Sequence, residues 1–161
     1  MNEKALREQL AKSLGWGEAH VDWKKAVADF PAKHRGTQPP GAPYSAWELI
    51  EHARIAQKDI LEFSRNPKHR SPDWPSGYWP KTPAPPNAAA WRKSIEEFER
   101  DSEAMGKLVT DPKTDLLAPI PGSSGQTLLR ELLLLVDHNS YHLGQLVLVR
   151  KLLGAWPESK R

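Results

Sequence analysis

The prolines decide where this chain can be regular. Fifteen of its 161 residues are proline, and most gather between residues 31 and 43, 67 and 86, and 112 and 121. Proline has no N–H to donate, and its ring clashes with the preceding turn of a helix. Long helices therefore fit only in the four stretches between those clusters, and all four carry a helical repeat of apolar residues.

The first stretch places Leu6, Leu10, Leu14, Val21 and Val27 near helical spacing. It predicts a helix over residues 2–30, weakened at Gly15 and Gly17 and ended by Pro31. The second spans Ser45 to Arg65, where Ser45 and Glu48 have capping-box spacing and Asn66-Pro67 stops the helix. Its apolar stripe is Leu49, Ala53, Ala56, Ile60 and Phe63. The third runs from Asn87, a natural N-cap, to Val109, with Trp91, Ile95, Phe98, Met105 and Leu108 facing inward. The fourth runs from Thr127 to Leu153, capped by Ser124 or Thr127 and closed by Gly154 and Pro157. It is the most apolar of the four, as a central helix is. No stretch alternates with the period of a strand, and no internal repeat appears. The expectation is an all-α four-helix bundle, one domain over residues 1–161.

The connection from Pro67 to Pro86 also holds Trp74, Tyr78 and Trp79. Three large aromatics in one connection predict an ordered loop packed over the core.

The chain has no cysteine, which excludes disulfides, thiolate-ligated metals and a cysteine nucleophile. Six histidines and the carboxylates remain for metal or acid–base chemistry. The net charge is only +3, and basic residues are interleaved with acidic ones, as in KSIEEFERDSEAMGK. That pattern is a solvated helix face, so no nucleic-acid partner is expected. No apolar run reaches the roughly 20 residues of a membrane span, and the opening residues form an amphipathic pattern rather than a leader. No membrane association and a cytoplasmic location are the default expectations.

His138 and His142 stand four apart in the fourth segment, on one helix face. They interrupt the apolar row Leu128, Leu132, Leu135, Val149 and Leu152, so they point inward. Buried imidazoles need partners. One metal ion satisfies both, and so do hydrogen bonds to neighbouring helices; the spacing alone leaves both readings open. His52 breaks the inward row of the second helix in the same way, between Leu49 and Ala56. Two histidines from one helix and one from another make a three-nitrogen set with open positions, the layout of a catalytic rather than a structural site. Imidazole suits Zn, Ni and Fe alike. The zincin motif is absent, because Asn139 follows His138, and no histidine has a glutamate three residues before it, as di-iron bundles need.

The run HNSYHLGQLVLVRKLLG, with His138, Tyr141, His142, Gly144 and Gln145, resembles the last-helix signature of the DinB-like (DinB/YfiT-like) superfamily. The segment YSAWELIEHARIAQKDILEF resembles that family's second helix, which supplies the first ligand at the position of His52. The resemblance spans essentially the whole chain. It implies an up-down-down-up bundle with a divalent metal held by His52, His138 and His142, and it implies no DNA binding. Gln145 and Tyr141 are then the candidate cofactor- or substrate-binding residues. For Gln145 a helix–helix hydrogen bond is the competing role, and for Tyr141 it is packing or holding a loop. Gly144 would allow close helix approach. Glu51 and Asp137 neighbour ligands in sequence but point about 100° away. His20 is assigned to the first helix, and His34 and His69 to solvated loops. Trp74, Tyr78 and Trp79 form either a lid over the metal or plain packing.

Family members of this type include transferases using low-molecular-weight thiols such as mycothiol and bacillithiol. The resemblance thus implies a metal-dependent enzyme acting on a small molecule, by thiol transfer or by hydrolysis. No catalytic residue can be assigned. The alternative is a non-catalytic, stress-related bundle that binds metal or a small molecule. A homodimer is expected from the apolar fourth helix and from Trp16 and Trp23.

Overall fold

The computed structural model describes residues 2–157. Five α-helices follow in order: α1 (Glu3–Ser13), α2 (Trp23–Val27), α3 (Ala46–Arg65), α4 (Ala88–Thr110) and α5 (Leu128–Leu152). Among the described residues no strand forms, only an isolated bridge between Pro119 and Thr127.

Three of the expected helices form with nearly their expected ends. Ser45 and Glu48 make the full capping box of α3. The Asn87 side chain accepts from Ala90 N at the start of α4, and that of Thr127, not Ser124, from Arg130 N at the start of α5. Gly154 follows α5 at φ +62°, a conformation that favours glycine.

The first helix differs. The expected helix over residues 2–30 is broken into α1 and α2, with a non-helical loop between. Gly15 and Gly17 carry little helix propensity, and Asp22 competes by capping α2, its Oδ1 accepting from Lys25 N at 2.7 Å. His20 therefore lies in this loop, exposed, with Nδ1 on the Val21 carbonyl.

Side-chain pairings give the helix directions. Glu51 meets Ser94, Arg54 meets Glu97 and Gln57 meets Phe98, so α3 and α4 run parallel. His52 meets His142 while Gln57 meets Asn139, so α5 runs antiparallel to α3. Arg7 reaches Val109 while Leu14 approaches Gly106, so α1 opposes α4. This is the up-down-down-up order.

A parallel neighbour forces the chain to travel back along the full length of α3 before α4 starts. The connection from Asn66 to Asn87 makes that return pressed against α3. Tyr78 Oη donates to Asp59, Trp79 stacks on His52, and Ser45 Oγ donates to the Pro83 carbonyl.

The core has two apolar ends. One gathers Phe30, Trp47, Ile50, Trp91, Leu146 and Val149; the other gathers Leu61, Met105, Val109, Leu132 and Leu135. Between them lies a polar layer. Gln57, fully buried, donates to the Phe98 carbonyl and accepts from Asn139 Nδ2 at 2.9 Å, joining three helices. His52 and His142 belong to this layer.

Two buried arginines close helix ends. Arg7 donates to the carbonyls of Val109, Asp111 and Thr114 at the end of α4. Arg150 donates to Ala26 near the end of α2 and to Ala155. A cation at a helix C-terminus meets the negative end of the helix dipole.

Candidate metal centre

The structure brings His52 of α3 together with His138 and His142 of α5. His52 Nε2 lies 3.1 Å from His142 Nε2 and 3.1 Å from His138 Nε2. Among the described residues these three form the cluster that could hold a metal ion.

Two of the three ring orientations are fixed from outside the cluster. His52 Nδ1 donates to the Tyr78 carbonyl at 2.8 Å, and His142 Nδ1 to Gln145 Oε1 at 2.8 Å. A carbonyl oxygen can only accept, so the proton sits on Nδ1 and the Nε2 lone pair faces inward. That is the tautomer of a metal-ligating histidine. Among the described residues His138 Nδ1 is buried without a well-formed hydrogen bond, with the Asn139 side chain beside it.

Burial keeps the rings neutral. It lowers the His52 imidazole against a smaller opposing effect of the Tyr78 carbonyl. It lowers His138, helped by His52. It lowers His142 furthest, to about 4, with His138 and then His52 adding to the effect. Neutral imidazoles with lone pairs converging repel one another, and a cation at their centre relieves this. Two nitrogens bound at about 2.1 Å stand about 3.0 Å apart at a right angle and about 3.4 Å apart at the tetrahedral angle. The observed 3.1 Å separations fit that range.

An aromatic wall closes one side. Trp79 lies flat on His52, with ring centroids 3.9 Å apart and planes 4° apart, and Tyr44 stacks on Trp79. Of the three loop aromatics, Tyr78 and Trp79 thus touch the site, and Trp74 is exposed. Tyr141 is edge-on to His142, with ring centroids 5.0 Å apart, and is 65% exposed, so it does not pack in the core. Gly144 is exposed, and a Cβ there would meet nothing within 4 Å, so no other helix among the described residues approaches it closely.

Glu51 turns toward α4, bonded to Arg54 and Ser94. Asp137 is exposed. The sequence reading missed Asp59, whose carboxylate accepts from Tyr78 Oη at 2.6 Å and contacts His69 Nε2 at 2.7 Å. His69 is therefore paired rather than solvated, and through Tyr78 this cluster anchors the carbonyl that orients His52. Asp59 lies seven residues after His52, two helical turns along the same face, and that spacing was the available signal.

A helical bundle with three inward histidines on two helices is one class of protein, and the sequence comparison agrees with it. The profile of the DinB superfamily matches residues 17–146. The chain belongs to the DinB superfamily. No curated protein matches it, and no solved structure does. Among the described residues no helix is long and apolar enough to cross a membrane.

Proposed function

We propose that this protein is a metal-dependent enzyme acting on a small molecule, with a divalent ion held by Nε2 of His52, His138 and His142. The observation that carries the reading is the pair of 3.1 Å Nε2 separations among rings whose outer nitrogens are already engaged or buried. A divalent ion on three neutral ligands supplies an uncompensated positive charge that makes a small nucleophile more acidic. Gln145 and the Tyr78 carbonyl hold two of the rings. Trp79 shields the His52 face from water. Tyr141, exposed beside His142, is placed to contact an incoming substrate or cofactor.

Transfer of a low-molecular-weight thiol is the chemistry we favour over hydrolysis. A thiol ionises near neutral pH without a strong base. Glu51 and Asp59, the ligands' neighbours on α3, are tied to Arg54 and Ser94 and to Tyr78 and His69. The chain has no cysteine, so the thiol must arrive from outside.

The test is metal analysis of untagged protein, followed by assays pairing cysteine-derived thiols with an electrophile. The reading expects about one divalent ion per chain, lost in His52→Ala, and thiol consumption that stops when the ion is removed. Bound metal without turnover would make the protein a metal-binding bundle instead. No bound metal would sink the proposal.

The same reading includes a homodimer through α5. Leu134, Leu148 and Leu152 are exposed along one side of that helix, and open Gly144 lies beside them. A second copy covers this stripe and brings its own helix close at Gly144. A monomeric mass by light scattering would refute it.

A further inference from the structure

The face of α5 that points away from the core is self-complementary about Gly144. Asp137 stands seven residues before Gly144 and Lys151 seven after it, both exposed. With about 100° per residue, each lies within about 20° of Gly144 around the helix. Leu134 and Leu152, also exposed, stand ten residues before and eight after. Both lie on one flank of that line, about 80° from it. Tyr141 and Leu148 stand three before and four after, exposed on the same flank and nearer the line. All three pairs are therefore centred at or next to Gly144.

Two antiparallel copies of this helix, related by a two-fold axis beside Gly144, bring each pair together across the interface. Asp137 meets the partner's Lys151, Leu134 meets the partner's Leu152, and Tyr141 meets the partner's Leu148. The two-fold repeats each contact and keeps both leucine flanks on one side. A parallel pair would set Asp137 against Asp137 and Lys151 against Lys151, and like charges across an interface repel. Neither charge joins an ion pair among the described residues. Lys151 Nζ lies over the Trp156 ring, 5.7 Å from its centroid. A Cβ at Gly144 would meet nothing within 4 Å, so the space beside it is open to a second backbone. The metal ligand His138 lies on the leucine flank as well, about 120° from Gly144 and just beyond the leucines.

We propose that the partner of this face is a second copy of the chain, paired antiparallel about Gly144, and that the partner's Leu148 walls the metal cleft beside Tyr141. Resting on the homodimer proposed above, this arrangement fixes its orientation and register and makes each metal cleft shared between two chains. A small molecule that touches Tyr141 then meets an apolar side chain of the second chain.

The chain has no cysteine, so single cysteines report without background. Pairs of single-cysteine chains are mixed and treated with a short bismaleimide. Leu134→Cys should crosslink with Leu152→Cys, and Tyr141→Cys with Leu148→Cys, in preference to any of the four with itself. Self-crosslinking of Leu134→Cys in place of the mixed product overturns the antiparallel order. Crosslinking of the first mixture without the second overturns the shared cleft. Charge reversal is the independent arm, read by light scattering across a dilution series. Asp137→Lys and Lys151→Asp should each weaken dimerisation about ten-fold or more, and the double variant should recover to within about three-fold of the natural chain. A single variant that dimerises like the natural chain, or a double variant that does not recover, overturns the register. A monomeric natural chain ends the dimer and this arrangement together. Metal content, measured on the same samples, decides the metal centre separately.

Discussion

Acid should weaken the metal-free protein through one residue above all, and the size of the effect follows from its surroundings. Burial, then His138 and His52, hold the His142 imidazole at about 4 against an ordinary 6.5. The unfolded chain therefore binds this proton more readily than the folded one. The sign follows: stability is complete above about pH 6.5 and is lost as the pH falls toward 4. At pH 5 the unfolded imidazole is almost fully charged and the folded one almost fully neutral. The gap from pH 7 to pH 5 is about 1.4 units, or about 1.8 kcal/mol at 1.36 kcal/mol per unit. The assay is urea unfolding of chelator-treated protein at both pH values, for the natural chain and for His142→Gln. The shift at His52 arises from burial against the Tyr78 carbonyl, and that at His138 from burial and His52, so both persist in the variant. The natural chain should lose about 1.8 kcal/mol more than the variant between the two pH values. Equal losses would refute the claim that His142 is held neutral by its burial in this cluster. Adding a divalent ion should steepen the natural chain's dependence, because protons and metal compete for the same nitrogens.

Other outcomes follow from the same contacts. Gln145→Leu removes the acceptor for His142 Nδ1 and should lower metal affinity about ten-fold in chelator competition; unchanged affinity would show that the bond is incidental. Arg7→Met leaves the carbonyls of Val109, Asp111 and Thr114 without their buried donor and should cost about 2–4 kcal/mol in urea unfolding, whereas a loss near zero would contradict its capping role. Burial and Asp59 push the Tyr78 phenol up to about 12, so it stays a donor across ordinary pH. Tyr78→Phe should speed amide exchange in residues 76–80 and leave α3 protected, and equal exchange would deny the anchor.

The three long helices were legible because their signals are local. Ser45-x-x-Glu48, Asn87 and Gly154 each act within one turn. The three histidines were legible for a similar reason: a polar residue in an apolar row is visible on a helical repeat. The break at Gly15 to Asp22 was harder to read. Leu14 and Val21 keep the helical beat across it, while the Asp22 cap that wins is a single hydrogen bond. What orients the histidines was mostly illegible. The His52 partner is a backbone carbonyl 26 residues away, and any residue type can supply one. His69 looked solvated because its partner Asp59 is reached only when the chain doubles back.

That return path also makes the connection between α3 and α4 unequal along its length. From Tyr78 to Pro83 it is fastened to Asp59, His52 and Ser45. Its outer tip, Asp73 to Ser76, is exposed, carries Trp74 at 77% exposure and is held by turn bonds only, from Gly77 N to Asp73 and from Tyr78 N to Pro75. Nicking or lengthening the chain is best tolerated where the backbone is free of such fastenings. An engineer adding a reporter peptide, or a lineage gaining extra residues, would find room at this tip. The same insertion a few residues later would unseat the aromatic ring that covers His52.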